Sequence, residues 1–503
     1  MTRDKPPREV ELKLALPDGP LDAVWEHRAF QASTARPRRR HEVTTYFDTS
    51  DRALARLKIS LRVRLSDGCR VQTLKADGKD GVAADRAEWE WPIEQDAPDI
   101  GLLATTPIAS ELPRKLDLAP VFITDIERTI RMLDLDGDTV VETALDEGTI
   151  IAGDARQPVR ELELELKAGD PAPIFRLALE LHAAMPLTIE TQSKAARGHR
   201  LSTGTVPAAC KAEEVVLKRK TNGVAAFRRI LTAGLGHLLV NRPAALSGDA
   251  EGVHQMRVAI RRLRAALTLF EPLLATHTAS LFQAELRRVG QVFGEARDWD
   301  VFTLEVLPAA LKNAGAAAWC DLLRQPAMAR REAAHRHFAA EVQAPAFTAL
   351  MLGLAAWVEE KTLLGDDDLD RPILELYPRL LDRLAAKVER RGRHIDRSDA
   401  ERHALRKSLK KLRYGIDFLR SVLPEDASKS YLHKCKKLQQ LLGDANDSVS
   451  AITLADGLND GARPDLLPAL GAATEWLGRQ REDGLQDLAK RWKAFQAEPR
   501  FWE

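Results

Sequence analysis

Cysteine is scarce: 503 residues hold four, at Cys69, Cys210, Cys320 and Cys435. No two are spaced as CxxC, which excludes a zinc ribbon or a thioredoxin-like motif and leaves reduced thiols as the plain reading. An excess of one charge is also missing. Lys and Arg total 75 against 74 Asp and Glu, a formal net charge of +1. Any affinity for a polyanion must therefore come from local clustering. No uncharged apolar run reaches the roughly 18 residues of a spanning helix. The opening "MTRDKPPREVELKL" lacks the apolar core of a signal peptide. No Gly-rich phosphate loop of the Walker type is present. Aromatics are 5% of the chain and form no interleaved stacking platform, which argues against single-stranded nucleic acid as a partner.

What is present is 45% hydrophobic residues, enough for two or more packed domains. The first two hundred residues alternate apolar with polar: "VTTYFDT", "SLRVRLSDG", "CRVQTLKADG", "AEWEWPI" and a pair of segments around Asp136-Gly137-Asp138. Period-2 patterning with short turns predicts an antiparallel barrel or sandwich. One helix is expected at "PIFRLALELHAAM". From about Leu217 the period becomes 3.6 and stays so, as in a helical bundle. The expected class is α+β, with a β domain at 1–203, a linker at 204–217 and a helical domain at 218–503.

Several strands gather charge on one side. Glu9, Glu11 and Lys13 alternate with Val10, Leu12 and Leu14; Glu161, Glu163, Glu165 and Lys167 alternate with Leu162, Leu164 and Leu166. Arg62 and Arg64, then Lys75, Arg86, Glu88 and Glu90, Arg128, Glu142 and Asp146, and Lys194 and Arg197 extend the set. A solvated sheet face would look like this strand by strand. The whole set suggests more. Close carboxylates repel and are eased by a hard divalent cation such as Mg²⁺ or Mn²⁺. Arg and Lys groups complement phosphate oxygens.

Glu9-Val10-Glu11-Leu12-Lys13 resembles the ExExK signature of the CYTH superfamily, the triphosphate tunnel metalloenzymes. The resemblance spans roughly residues 6 to 203 and keeps its order through "YFDT", Arg62 and Arg64, Lys75, Glu88/Glu90, Arg128, Asp146, "ELELELK" and Lys194. It implies an eight-stranded antiparallel tunnel that hydrolyses or cyclises triphosphates. By that resemblance Glu9, Glu11, Glu163 and Glu165 would hold the metal. Lys13, Arg62, Arg64, Lys75, Arg128 and Lys194 would clamp phosphate. Glu9, Glu11 and Lys13 are also the candidate catalytic residues. The inward or outward direction of Glu161, Arg86, Glu90 and Asp146 stays open. Arg131 breaks the period set by Arg128 and is expected to face out.

The helical half contains a duplication, with repeats at about 218–360 and 370–503. "HQMRVAIRRLRAALTLF" from His254 aligns without gaps on "HALRKSLKKLRYGIDFL" from His403, and the same offset places Gly294 on Gly443 and Asp298 on Asp447. Each copy pairs an apolar stripe with a basic one. The basic stripes are His254, Arg257, Arg261 and Arg264, and His403, Arg406, Lys410 and Arg413. Arg287 and Arg288 match Lys436 and Lys437. A solvated face is the plain reading of one such helix. Two stripes with few interleaved acids point instead to a long polyanion. The pattern resembles the CHAD domain, a helical domain often found after CYTH, and that resemblance implies a basic cavity for inorganic polyphosphate.

The expectation is a cytoplasmic, divalent-metal-dependent inorganic triphosphatase, similar to bacterial CYTH-CHAD triphosphatases. Its helical half would capture long-chain polyphosphate and place it on polyphosphate granules, with no membrane partner. The alternatives are a non-catalytic polyphosphate binder, a class IV-type adenylate cyclase and, least favoured, a nucleic-acid binder.

Overall fold

The computed structural model describes residues 8–19, 21–31, 36–76, 84–113, 116–135, 138–274, 276–360, 370–458 and 464–503. The side chains of 8, 9, 22, 84–87 and 276 lie outside that description, and with them those of Glu9 and Arg86. Asp136 and Gly137 of the expected turn are outside it too.

The strands are β1 (Arg8–Ala15), β2 (Arg38–Thr49), β3 (Ile59–Ser66), β4 (Cys69–Ala76), β5 (Ala84–Ile93), β6 (Leu118–Leu135), β7 (Thr139–Ala152), β8 (Ala155–Ala168) and the two-residue β9 (Thr188–Ile189). The helices of nine residues or more are α1 (Ala172–Ala184), α2 (Lys194–Thr203), α3 (Gly223–Val240), α4 (Ala250–Phe270), α5 (Thr276–Val301), α6 (Cys320–Gln343), α7 (Pro345–Glu359), α8 (Ile373–Gly392), α9 (Asp399–Leu419), α10 (Glu425–Asp456), α11 (Leu467–Leu485) and α12 (Leu488–Gln496). The fold is α+β, as the change of period predicts: an antiparallel sheet followed by helices. Residues 205–218 have no regular structure.

The sheet runs β5-β4-β3-β2-β6-β7-β8-β1-β9, and β1 also pairs with β5. That extra pairing closes eight strands into a ring and leaves β9 as an appendage on β1. Closure removes both sheet edges. It also gives the two faces of each strand opposite environments. Leu12, Leu14, Leu162 and Leu164 are fully buried on the outside, each stabilising by about 1.5–3 kcal/mol relative to exposure. Their charged neighbours turn inward.

By chain contacts the protein divides into two units. The first comprises Met1–Ala209, Leu235–Ser247 and Gln343–Glu360; the second comprises Cys210–Gly234, Gly248–Val342 and Lys361–Glu503. In the first, α7 packs along α1, and His182 Nε2 lies 2.9 Å from the Pro345 carbonyl oxygen. In the second, α4 packs against α5 and α9, and α9 packs against α8 and α10. Met256, Ile260, Leu263, Leu267 and Phe270, and Leu405, Leu409, Leu412, Ile416 and Leu419, are all buried. Among the described residues one helix, Gly223–Leu246, is long and apolar enough to cross a membrane, and 61% of its most apolar window is buried within the protein. Ala317–Gln343 and Pro345–Glu359 pass the same test only as a pair bent by 53°.

Candidate active site and polyanion cavity

The interior of the ring is a cavity of about 440 Å³. Inward positions follow the period of two: Glu11 and Lys13 on β1; Glu42, Thr44 and Tyr46 on β2; Arg62 and Arg64 on β3; Lys75 on β4; Glu88 and Glu90 on β5. Thr124, Ile126 and Arg128 on β6, Glu142 and Asp146 on β7, and Glu163, Glu165 and Lys167 on β8 complete the wall, with Lys194 at the start of α2. Arg131 is not on it; its guanidinium lies 4.7 Å over the Trp25 ring. Glu161, 1% exposed, sits behind the wall against Arg197 and 3.4 Å from Lys194 Nζ.

Buried charges need partners, and here they have them. Lys13 Nζ donates to Glu11 at 2.5 Å and to Glu163. Arg128 grips Asp146 through Nε at 2.7 Å and Nη2 at 2.6 Å, and also donates to Glu163 at 2.6 Å. Lys194 Nζ lies 2.6 Å from Asp146 and 2.8 Å from Glu163. Burial pushes the Glu163 carboxyl up, but Lys13, Lys194 and Arg128 outweigh it and hold it well below the usual carboxylate range. Asp146 is held down in the same way, against burial, by Lys194 and Arg128. Across the cavity Lys75 meets Glu88 at 2.9 Å, and Arg62 approaches Glu88 at 3.5 Å. Arg64 meets Glu90 at 3.1 Å.

Strand register explains how the carboxylates gather. Glu11 is the cross-strand partner of Glu165 on β8, and Glu165 is the partner of Glu142 on β7. Three acids thus share one row, where directly opposed like charges repel. Lys167 eases two of them, at 2.5 Å from Glu165 and 3.8 Å from Glu142. These oxygen donors suit a hard divalent cation. Among the described residues no three acidic, histidine or cysteine side chains close on one point. The wall therefore offers part of a coordination shell, the kind that substrate phosphate and water complete.

The short helix α2 points its N-terminus at the cavity. Ser193 Oγ accepts from the Ala196 N–H at 3.1 Å, and Ser193, Lys194 and Ala195 all line the wall. A helix N-terminus beside a lysine favours an anion. Gly198 lets α2 seat there: a Cβ at that position would lie 2.1 Å from the Phe122 ring. Phe122 in turn stacks on Tyr46 with centroids 4.4 Å apart. Burial would push the Tyr46 phenol up, but Arg62, then Lys194 and Lys75, outweigh it and hold it below its ordinary value.

Sequence reasoning missed Glu42, Tyr46 and the basic run Arg36, Arg38 and Arg40 as wall residues. For Glu42 the signal was available, two residues before Thr44 and four before Tyr46 in one alternating strand. In "YFDT" the acid is architectural. Asp48, 1% exposed, accepts from the N–H groups of Leu54 at 2.9 Å and Ala55 at 3.1 Å and so caps the short helix Ala53–Arg56.

The second unit holds a cavity of about 970 Å³. Among the described residues its wall carries ten Arg and Lys side chains against two carboxylates, Glu295 and Asp298. Both basic stripes reach it, through Arg257, Arg261 and Arg264 and through His403, Arg406 and Lys410, with Arg287 from α5. The duplication repeats one device. Arg257 Nη1 bonds Asp298 at 2.8 Å and Arg406 Nη2 bonds Asp447 at 3.0 Å. Each guanidinium lies over a glycine of the facing helix, Gly294 or Gly443, 3.7 Å from where a Cβ would stand. Burial first, then Arg406, Arg261 and Arg257, push the Lys410 ammonium down to about 7; burial, then Lys387 and Arg264, push Lys411 down to about 8.

Five of the residues predicted for this site lie off the wall: His254, Arg288, Arg413, Lys436 and Lys437. One step along a helix turns a side chain by about 100°. Arg288 is thereby turned to Glu285 and Glu341, at 3.0 and 2.8 Å. Arg413 lies 5.0 Å over the Tyr414 ring, and Lys436 and Lys437 are exposed.

A closed antiparallel ring lined with paired charges, followed along the chain by a helical unit with a basic cavity, defines a two-domain α+β architecture. Residues 7–199 match the CYTH domain family and residues 229–456 the CHAD domain family, so the chain carries a CYTH domain followed by a CHAD domain. It is 35% identical over 162 residues to an inorganic triphosphatase of Haemophilus influenzae. That match covers 32% of this chain and 45% of the relative, so the chain spans less than half of that protein's length. An uncharacterized protein of Mycobacterium tuberculosis is 26% identical over 88% of this chain and 86% of its own length. The CHAD domain crystal structure from the plant Ricinus communis shares the helical fold, with a TM-score of 0.51 and 29% identity, over 58% of this chain and 98% of that one.

Proposed function

We propose that the ring is a divalent-metal-dependent inorganic triphosphatase and that the helical cavity binds linear polyphosphate. One observation carries the first part: a carboxylate row, Glu11–Glu165–Glu142, faces Arg62, Arg64 and Lys75 inside one closed barrel. An anion alone would call for a wall dominated by bases, as in the helical cavity. A metal-bound triphosphate calls for both.

Arg62, Lys75, Arg128 and Lys194 would neutralise the nonbridging oxygens, and the α2 N-terminus would add its partial charge. Glu11 and Glu165, with help from Glu163, would hold Mg²⁺ or Mn²⁺; Glu9 joins them by resemblance. When bound, the ion supplies charge neutralisation at the transferred phosphoryl group. Glu163 stays ionised beside its three cations, so it can accept a hydrogen bond from the attacking water. Lys13 can only donate, which suits it to the developing charge on the phosphoryl oxygens.

The test is phosphate release from tripolyphosphate with Mg²⁺ or Mn²⁺, with ATP as control, in wild type and in Glu11→Gln/Glu163→Gln. Metal-dependent release that is lost in the double variant and weak on ATP supports the reading. Comparable turnover of ATP to a cyclic product would replace it with a cyclase. No release with any metal would leave a polyphosphate binder, a reading favoured by the ion pairs that already occupy Glu11 and Glu163.

A further inference from the structure

On β2 the inward positions change steadily along the strand. Arg36, just before it, and Arg38 are exposed, Arg40 is half-buried, and Glu42, Thr44 and Tyr46 are buried. The other wall strands grade the same way in register. Asp146 is buried where Glu142 is partly open, and Glu161 is buried where Lys167 is 37% exposed. This half of the barrel therefore has a closed floor, under α2, and an open mouth. Three arginines two residues apart lead from the mouth toward Arg128, the cross-strand partner of Arg40.

Their pairing differs from that of the floor. Below, each base has carboxylate partners. Among the described residues no carboxylate pairs with Arg36 or Arg38, and Arg40 reaches only Asp67, at 3.7 Å. A row of cations with so little compensation repels itself and is relieved by an anion laid along it. Successive inward side chains on a strand are about 6.6–6.8 Å apart, so the row suits a linear ligand with charge at regular intervals. No aromatic ring stands between the arginines, which disfavours a nucleoside as the group extending from the mouth.

We infer that Arg36, Arg38 and Arg40 form an outer subsite for linear condensed phosphates longer than three, which enter by one end and leave the rest of the chain on this ladder. This rests on the triphosphatase reading of the floor.

The experiment compares tripolyphosphate with linear hexapolyphosphate, in the full chain and in Arg36→Ser/Arg38→Ser. Both carry Arg261→Ala/Lys410→Ala, so that capture by the helical cavity does not enter. KM and kcat are measured with metal. Binding of both probes is measured by calorimetry in EDTA, where hydrolysis does not proceed. Loss of the two arginines should raise KM and Kd for hexapolyphosphate about fivefold or more, several times the change for tripolyphosphate. It should also lower the salt slope for the longer chain by about two. Equal changes for both probes, or none for either, would overturn the ladder. A larger change for ATP than for hexapolyphosphate would assign the mouth to a nucleotide. Absence of phosphate release with all substrates would sink the triphosphatase reading alone, because the EDTA arm still decides the ladder.

Discussion

Lys194 ties together the acids of the barrel floor. It meets Asp146, Glu161 and Glu163 together. Replacing it with Met removes one cation from each of these acids, which keep Arg128, Arg197 or Lys13, and should cost about 1–3 kcal/mol, read as a lower urea midpoint. The same acids set an acid limit. Asp146 and Glu163 titrate lower in the folded protein than in the unfolded chain. Their contribution is therefore fully present above the ordinary carboxylate range and is lost only as pH falls through their depressed values. Lys410 works in the opposite sense. With its ammonium pushed down to about 7, it carries less charge as pH rises past neutrality. Polyphosphate affinity should fall between pH 6.5 and 8.5, and Lys410→Arg should flatten that profile in a calorimetric titration.

At the scale of elements, alternation on the strands was legible in the sequence because a closed barrel gives each strand two consistent faces. Period placed Arg62, Arg64, Lys75, Arg128, Glu163 and Glu165 on the charged sides of their strands, and the family resemblance gathered them into one lining. Glu161 could not, because its row dips behind α2, and only the position of that helix decides which acid stays on the wall. The helical stripes were half legible. Arg257 and Arg406 were visible as equivalents, and so were Gly294 and Gly443, yet their convergence needs the packing of α4 on α5 and of α9 on α10. Lys436 and Lys437 look equivalent to Arg287 and Arg288 in sequence, but equivalence does not turn a side chain inward. The seat of α2 gives a sharp test. Gly198→Ala drives a methyl into Phe122 and should destabilise by about 1–3 kcal/mol. It should also lower phosphate release, since α2 carries Lys194; a thermal melt and an initial rate check both.

At the scale of the whole molecule, the first unit is not a contiguous piece of chain. It takes Leu235–Ser247 and Gln343–Glu360 from the helical half, and α7 supplies the partner of α1. A protein cut after Ala209 would leave α1 without that helix, on the side that carries His182. It should melt lower than the intact chain and be cleaved faster by a protease at α1; equal resistance would show that α7 is dispensable.

The same interlacing has a consequence in time. A ribosome that has finished β8, the last strand of the ring, must still make about 175 residues before α7 begins, roughly 9–35 s at ordinary rates of synthesis. During that interval the apolar side of α1 waits uncovered on a nascent chain, so the window in which a chaperone is needed is written into the order of the helices.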